Sequence, residues 1–186
     1  MKDIVKRLLG VSPNKILKDK GVKIGNNVKL IIYPYKWSLP LVGSEPYLIS
    51  IGDNTTISFK CTFITHDGAV SVVRKKEKYK DVIKFGYINI GKNCFIGCNT
   101  TIMPNVSIGD NSIVGANSIV TKTIPANQVW AGNPAKFICT TEEYAEKMLK
   151  NTPNYSVKNL KNNFKEESIK IAELYKNKMW GIKSGK

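Results

Sequence analysis

A six-residue repeat between Ile90 and Pro125 constrains the fold of this chain more than any other feature. The stretch divides without gaps into IGKNCF, IGCNTT, IMPNVS, IGDNSI, VGANSI and VTKTIP. The first position of each unit is aliphatic, the second is usually Gly, the fourth is usually Asn, and the fifth is small or modestly apolar. A period of six fits neither an α-helix, whose period is 3.6, nor a strand that alternates every two residues.

A hexapeptide period is typical of a parallel β-helix, so we predict an all-β core of this type. Each unit would form one face of a triangular coil, and three units would close a turn that rises about 4.8 Å. The first and fifth positions are expected to face inward, as are Cys61 and Cys94, because a free cysteine behaves as a small hydrophobe. Gly and Asn are expected beside the corners, where both accept a positive φ at little cost.

The repeat begins at Ile24 and is then interrupted. Leu30 and Ile51 are 21 residues apart, which is three residues out of phase with the six-residue frame. Part of the segment 33–47 must therefore leave the coil as an excursion.

A second interruption carries the main candidate for chemistry. Phe63 and Ile90 are 27 residues apart, again three out of phase, so residues 67–87 form a second excursion. Long loops inside compact domains are usually functional or disordered. His66, the only histidine of the chain, lies at the mouth of this loop. A base that works near pH 7 is most simply a histidine, so we predict His66 as general base, with a loop histidine of no catalytic role as the alternative.

The two ends of the chain are predicted to be helical. Residues 1–23 form a short helical cap, in which Pro13 breaks the first helical segment. Residues 24–138 form the β-helix domain with its two excursions, and residues 139–186 form a helical appendage. In that appendage Thr140 and Glu143 make a capping box, Asn163 precedes a second helix, and that second helix has an expected buried stripe. The stripe consists of Phe164, Ile171, Leu174, Tyr175 and Met179.

The charge and composition exclude several classes of function. The net charge is +15, which suits solvated surface lysines or attraction to an anion such as a polyphosphate, an acidic glycan or a membrane surface by peripheral contact. No nucleic-acid-binding motif is present, and one histidine with no second cysteine pair at finger spacing disfavours a metal site. The sequence has neither an apolar run long enough to span a membrane nor a signal-peptide pattern, so we expect a cytoplasmic protein.

Four stretches of sequence carry a resemblance to a known family. They are GSEPYLISIGDNTTIS (residues 43–58), FITHDG (63–68), the six hexads, and AGNPAKFI (131–138). From Ile24 to Ile138 the chain resembles the maltose/galactoside and xenobiotic acetyltransferase branch of the hexapeptide-repeat acyltransferases. It is most similar to members encoded with capsule or O-antigen polysaccharide genes. The resemblance implies a left-handed coil, a homotrimer, and acetyl-CoA bound in a groove between neighbouring subunits, with no metal.

The resemblance also implies roles for individual residues. His66 would be the catalytic base, and Glu45 and Asp67 are candidates for orienting the imidazole or binding the acceptor. Both acidic residues have simpler alternatives, because Asp-Gly is a turn signal and Glu45 could face solvent beside Pro46. The implied pantetheine and phosphate path is Cys98, Ala116, Asn117, Thr121 and Lys122. The residues implied near the nucleotide end are Pro134, Ala135 and Lys136.

The expected activity is transfer of an acetyl group from acetyl-CoA to a sugar hydroxyl, in surface-polysaccharide synthesis. One alternative is an enzyme with another acceptor, either an amino-sugar N-acyltransferase or an antibiotic (xenobiotic) acetyltransferase. The basic loop 67–87 favours a sugar or an anionic glycan over apolar antibiotics. A second alternative is a non-catalytic β-helix that serves as a binding protein, against which His66 and Lys136 count.

Overall fold

The computed structural model describes residues 10–32 and 39–180. Short strands of the described residues form three sheets. Sheet A contains β1 (Lys23–Ile24), β3 (Ile49–Ile51), β6 (Ile88–Ile90) and β9 (Val106–Ile108). Sheet B contains β2 (Lys29–Leu30), β4 (Thr56–Ile57), β7 (Phe95–Ile96), β10 (Ile113–Val114), β12 (Gln128–Ala131) and β13 (Lys136–Thr140). Sheet C contains β5 (Thr62–Phe63), β8 (Thr101–Ile102) and β11 (Ile119–Val120).

The chain visits the three sheets in turn, so each complete turn adds one strand to each of them. Neighbouring strands are parallel, except that β13 runs antiparallel to β12 at the end of sheet B. In sheet C, for example, Phe63 and Val120 both align with Ile102, one on each side. This coiling path confirms the predicted parallel β-helix.

The core of the β-helix consists of the side chains that the repeat places inward. First-position and fifth-position residues of the six hexads are all buried, and none exposes more than 3% of its surface. They are Ile90, Cys94, Ile96, Thr100, Ile102, Val106, Ile108, Ser112, Val114, Ser118, Val120 and Ile124. Cys61 is buried as well, and burial raises the pKa of its thiol to about 11. The predicted inward positions are therefore confirmed, including both cysteines.

The corners of the coil need Asn and Gly for different reasons. Asn93, Asn99 and Asn111 have φ values of 53° to 57°, in the left-handed region that Asn tolerates better than most residues. The expectation of positive φ was wrong for the hexad glycines, because their φ values are negative. A Cβ on Gly97 would lie 2.4 Å from the backbone nitrogen of Ala116 in the next coil. Close stacking of the coils, rather than backbone conformation, excludes a side chain there.

The two excursions leave the coil at different corners. Residues 33–38 of the first lie outside the described residues, but Leu41 already pairs in parallel with Thr62 at the edge of sheet C. Val42 is buried in the core cluster of the β-helix, so Leu41 and Val42 belong to the coil rather than to an excursion, and a 3₁₀ turn follows at Pro46–Leu48. The second excursion contains the helix α2 (Val70–Val73) and a 3₁₀ turn at Glu77–Tyr79, and it returns beside its own start.

The described part of the amino-terminal segment contains the helix α1 (Pro13–Asp19). Its N-cap is Ser12, whose hydroxyl accepts from the amide of Lys15, and Pro13 is the first helical residue. Pro13 therefore starts a helix, as is common for proline at this position. Leu17 of α1 belongs to the core cluster of the β-helix. The predicted helix before residue 10 lies outside the described residues.

Contacts divide the chain into two units, one up to Thr141 and one from Glu142. The helix α3 (Thr141–Asn151) begins at the last residue of the first unit. The second unit contains the rest of α3, the short helix α4 (Val157–Asn162), which the sequence did not predict, and α5 (Phe164–Trp180). The Thr152 hydroxyl lies 3.0 Å from the hydroxyl of Tyr175 on α5. The predicted buried stripe on α5 is wrong for Phe164 and Leu174, which are exposed, whereas the side chain of Met179 lies outside the description.

None of the helices in the described ranges is both long enough and apolar enough to cross a bilayer.

Candidate active site

The register of sheet C brings Glu45 to His66. Leu41 pairs with Thr62, so the residue four positions after Leu41 runs beside the residue four positions after Thr62. Those two residues are Glu45 and His66, 21 positions apart, and the extra three residues that break the hexad frame produce this offset. Gly43 has a φ of 59°, and a Cβ there would lie 3.4 Å from the Thr65 hydroxyl oxygen.

A hydrogen bond of 2.9 Å joins Nδ1 of His66 to Oε2 of Glu45. The same carboxylate oxygen accepts from the hydroxyl of the buried Thr65 at 2.7 Å. Hydrogen bonds donated by the Ser44 hydroxyl, then by the Thr65 hydroxyl and by the His66 ring, lower the pKa of Glu45 to about 2. An ionised carboxylate can only accept hydrogen bonds, so Nδ1 must carry a hydrogen, and in the neutral form of the ring Nε2 is then the acceptor.

The hairpin formed by residues 67–87 builds a pocket of about 150 Å³ against the His66 ring. The amide of Asp67 donates to the carbonyl of Lys84 at 3.0 Å, and the amide of Gly86 donates to Thr65 at 2.8 Å, so the base of the hairpin is closed. The Phe85 ring lies 6.2 Å from the His66 ring, centroid to centroid, and forms an apolar wall. The imidazole is 43% exposed, so a molecule in the pocket can reach it.

The Asp67 carboxylate binds Lys84 and a backbone amide, although the sequence predicted Asp67 and Glu45 alike as candidates for orienting the His66 ring. Its Oδ2 lies 3.1 Å from Nζ of Lys84, and its Oδ1 accepts from the amide of Ala69 at 3.0 Å. The Lys84 ammonium is the main reason that the pKa of Asp67 is lowered. These contacts place Asp67 in the wall of the pocket and leave Glu45 as the carboxylate on the His66 ring.

Five of the eight predicted cofactor residues line a second pocket, of about 220 Å³. They are Thr121, Lys122, Pro134, Ala135 and Lys136. The loop after β12 lies over β11, where the amide of Ile119 donates to Gly132 and the amide of Ala135 donates to Ile119. This stacking brings the two lysines together although they are fourteen residues apart in sequence. Trp130 and Phe137 also line the pocket and were not among the predicted residues.

The other three predicted cofactor residues lie at a different corner. Cys98 and Asn117 stack in successive coils, where the amide of Asn117 donates to the carbonyl of Cys98 at 2.8 Å. Ala116 lies against Gly97 at the same corner. This corner precedes the strands of sheet C, whereas the Thr121 pocket follows them. The two groups therefore flank sheet C rather than forming a single pocket.

Sheet C also relates the second pocket to His66. Because Phe63, Ile102 and Val120 are in register, Thr65 and Lys122 occupy equivalent positions two coils apart. Two strand spacings correspond to about 10 Å along the coil axis. His66 and the Thr121 pocket thus lie along the same edge of the β-helix.

Within the described residues, no group of three or more His, Cys, Asp or Glu side chains is placed to hold a metal ion. Sequence reasoning did not select Ser44, Thr65 or Arg74. Ser44 and Thr65 could have been found from the 21-residue offset, since each directly precedes one of the paired residues.

Comparison with known proteins identifies the family. The model for the bacterial transferase hexapeptide (six repeats) matches residues 87–122. The chain is 45% identical to Protein CapG of Staphylococcus aureus over 175 residues, which cover 89% of this chain and 98% of that protein. The chain belongs to the hexapeptide-repeat acyltransferase family. As a member of this family, the protein is an acyltransferase.

Two further similarities agree with this membership. The Putative acetyltransferase YvoF of Bacillus subtilis (strain 168) is 36% identical over 105 residues, which cover 56% of this chain and 55% of that protein. A hexapeptide-repeat containing acetyltransferase of Vibrio cholerae superposes with a TM-score of 0.51 at 21% identity, covering 68% of this chain and 78% of that chain. The last similarity shows the fold, which matches the left-handed β-helix of hexapeptide-repeat acetyltransferases.

Proposed function

We propose that this acyltransferase moves an acetyl group from acetyl-CoA to a sugar hydroxyl in surface-polysaccharide synthesis, with His66 as the general base. The observation that supports the proposal most directly is the hydrogen bond from His66 Nδ1 to the ionised Glu45. It leaves Nε2 with a lone pair on the side of the ring that can meet a substrate. A neutral imidazole in this tautomer is suited to accept a proton near pH 7.

His66 performs the proton transfers of the reaction. Nε2 accepts the proton of the acceptor hydroxyl as that oxygen forms a bond to the carbonyl carbon of the thioester. The carbon–sulfur bond then breaks, and His66 returns the proton to the departing sulfur, so an acetyl ester and a free thiol result. The charge on the imidazolium is stabilised by Glu45, and a backbone N–H at the subunit seam stabilises the oxyanion. No acyl-enzyme is needed when one cleft holds both substrates.

Acetyl-CoA is proposed to lie along the edge of sheet C. Lys122 and Lys136 supply positive charge for its phosphates, and the Trp130 and Phe137 side chains supply apolar surface. Cys98, Ala116 and Asn117 would line the other side of sheet C in the assembled enzyme. The similarity to YvoF, a putative acetyltransferase, supports acetyl as the transferred group.

The assembly proposed for the enzyme is a homotrimer of triangular coils, with the acetyl-CoA groove between neighbouring subunits. Apolar side chains around the candidate site support this, since Leu41, Phe85 and Tyr87 are all more than half exposed in the single chain. Residues 24–138 would be the catalytic domain, with the helical cap 1–23 and the appendage 139–186 at its ends. We place the enzyme in the cytoplasm, where acetyl-CoA is made.

The alternatives differ in acceptor. The 150 Å³ pocket is smaller than the 300–1,000 Å³ typical of sites for drug-sized ligands, which favours one sugar unit over a polycyclic antibiotic. Similarity to Protein CapG over almost the full length of both chains supports a shared biological role. An amino-sugar acceptor would need the same base, so the assay must include amino sugars.

The test is release of free thiol from acetyl-CoA in the presence of sugar, amino-sugar and antibiotic acceptors. His66→Ala should lower turnover about 100-fold or more and still bind CoA in calorimetry. Lys76→Ala, on the hairpin but outside the pocket, is the matched control and should keep wild-type turnover. Unchanged turnover in His66→Ala would refute the base assignment, and a wild-type monomer that turns over, seen by light scattering, would refute the intersubunit site.

A further inference from the structure

The pocket beside His66 contains one cation whose charge is not balanced by a carboxylate. Besides His66, its lining includes three side chains that carry a formal charge, Asp67, Arg74 and Lys84. Asp67 and Lys84 form an ion pair at 3.1 Å and offset each other. No carboxylate among the described residues pairs with Arg74. The pocket therefore carries a net positive charge that comes from a single guanidinium.

The Arg74 side chain is held in place by the hairpin itself. Its Nε donates to the backbone carbonyl of Val82, which joins the end of α2 to the returning segment. Only one of the five guanidinium N–H groups is used in this bond, and the two terminal NH₂ groups are left to bind a ligand. A guanidinium with its stem fixed is suited to two parallel hydrogen bonds to a carboxylate or a phosphate.

The surroundings strengthen the attraction for an anion. Residues 67–87 contain six Lys and Arg against three Asp and Glu. Two of the three acidic residues are already paired, Asp67 with Lys84 and Glu77 with Lys80. Val70, Ile83 and Phe85 also line the pocket and give it apolar surface, on which the carbon face of a sugar ring can pack.

We propose that the pocket of residues 66–85 binds an acidic sugar, and that Arg74 selects the acceptor by binding its carboxylate or phosphate while a hydroxyl faces His66. This inference rests on the proposed function, in which His66 acts on an acceptor hydroxyl, and it adds the chemical class of that acceptor. Arg74 is a specificity residue in this account and takes no part in the proton transfer.

The single histidine allows a binding experiment that needs no turnover. The ring signals of His66 are followed by NMR in untagged protein while methyl glucuronide, glucose 6-phosphate or the neutral methyl glucoside is added. At least one of the two anionic sugars should shift these signals saturably, at a concentration about tenfold or more below that required for methyl glucoside. Arg74→Gln should remove this preference, and Lys75→Gln, the adjacent cation outside the pocket lining, should retain it.

Each result of this experiment bears on the inference. Equal binding of charged and neutral sugars, no saturable shift with either anion, or an unchanged preference in Arg74→Gln would overturn it. A larger effect with glucuronide identifies a carboxylate acceptor, and a larger effect with the phosphate identifies a phosphorylated one. If the proposed function is wrong, His66→Ala will show unchanged turnover. The binding result for Arg74 can still be interpreted in that case, because it does not depend on turnover.

Discussion

Replacement of Glu45 by Gln tests the candidate active site most directly. The carboxylate is only 12% exposed and accepts hydrogen bonds from Ser44, Thr65 and His66. Gln has nearly the same shape, and its carbonyl oxygen can still accept from Nδ1 of His66. The substitution therefore removes a negative charge next to the ring while it keeps the geometry of the contact.

The size of the effect follows from the 2.9 Å contact between His66 and Glu45. When His66 accepts a proton, two opposite charges at this distance attract by about 1.4 kcal/mol at the dielectric constant of water and by about 6 kcal/mol at an effective constant of 20. Because the imidazole is 43% exposed, the value lies towards the water limit. About 1.4 to 2.8 kcal/mol corresponds to a tenfold to hundredfold loss of kcat.

The loss should fall on kcat and not on the KM for acetyl-CoA, since the imidazolium forms only as the hydroxyl proton is transferred. Steady-state kinetics with saturating acceptor separates the two parameters. Glu77→Gln removes a carboxylate of the 67–87 hairpin that pairs with Lys80, so it controls for the overall charge. A kcat for Glu45→Gln within twofold of wild type would contradict the role of Glu45 as the residue that positions and stabilises His66.

Three further outcomes follow from the same structure. Thr65→Val removes a donor to Glu45, so kcat should fall several-fold and urea unfolding should show a loss of about 1 kcal/mol. The pKa of Glu45 is lowered from 4.5 to about 2, so its stabilisation is complete above pH 4.5 and is lost as the pH falls to about 2. The unfolding free energies of wild type and Glu45→Gln should therefore differ at pH 6 and converge near pH 2. Gly97→Ala should cost about 1–3 kcal/mol in thermal unfolding, whereas Gly68→Ala, with nothing within 4 Å of its added Cβ, should cost little.

The architecture of the coil could be predicted because the residue types within each hexad indicate which side chains face inward. An aliphatic residue such as Ile96 and a small one such as Thr100 recur at fixed spacing, and both are buried. The reason for glycine at Gly97 could not be predicted, because it depends on the distance to Ala116 in the next coil. Local sequence indicates which backbone conformation a residue prefers. The distance between two neighbouring coils depends on how the coils stack, which local sequence does not indicate.

The sequence proposed His66 and two candidate carboxylates, but it could not decide which carboxylate contacts the ring. His66 stands out as a single histidine, yet the sequence left Glu45 and Asp67 equally suited to orient it. Their roles separate only through the pairing of Leu41 with Thr62, and Leu41 lies outside any recognisable hexad. Arg74 is hidden in a run of charged residues, where no periodicity distinguishes one cation from the next.

The helices of the second unit show the limit of periodicity. Phe164 and Leu174 fit a helical stripe, and α5 does form, but both side chains are exposed. Spacing indicates which residues share a side of a helix, and it does not indicate whether anything covers that side.

The closed base of the 67–87 hairpin has a consequence for how such an enzyme can diverge. The backbone hydrogen bonds from Gly86 to Thr65 and from Asp67 to Lys84 close the point of insertion, and Ile88 rejoins sheet A in register with Ile49. The segment between these bonds can be exchanged or lengthened without shifting any residue of the stack. Under the proposed function, in which the hairpin selects the acceptor, donor recognition and acceptor choice can therefore evolve as separate modules, and a grafted hairpin should transfer substrate preference between scaffolds.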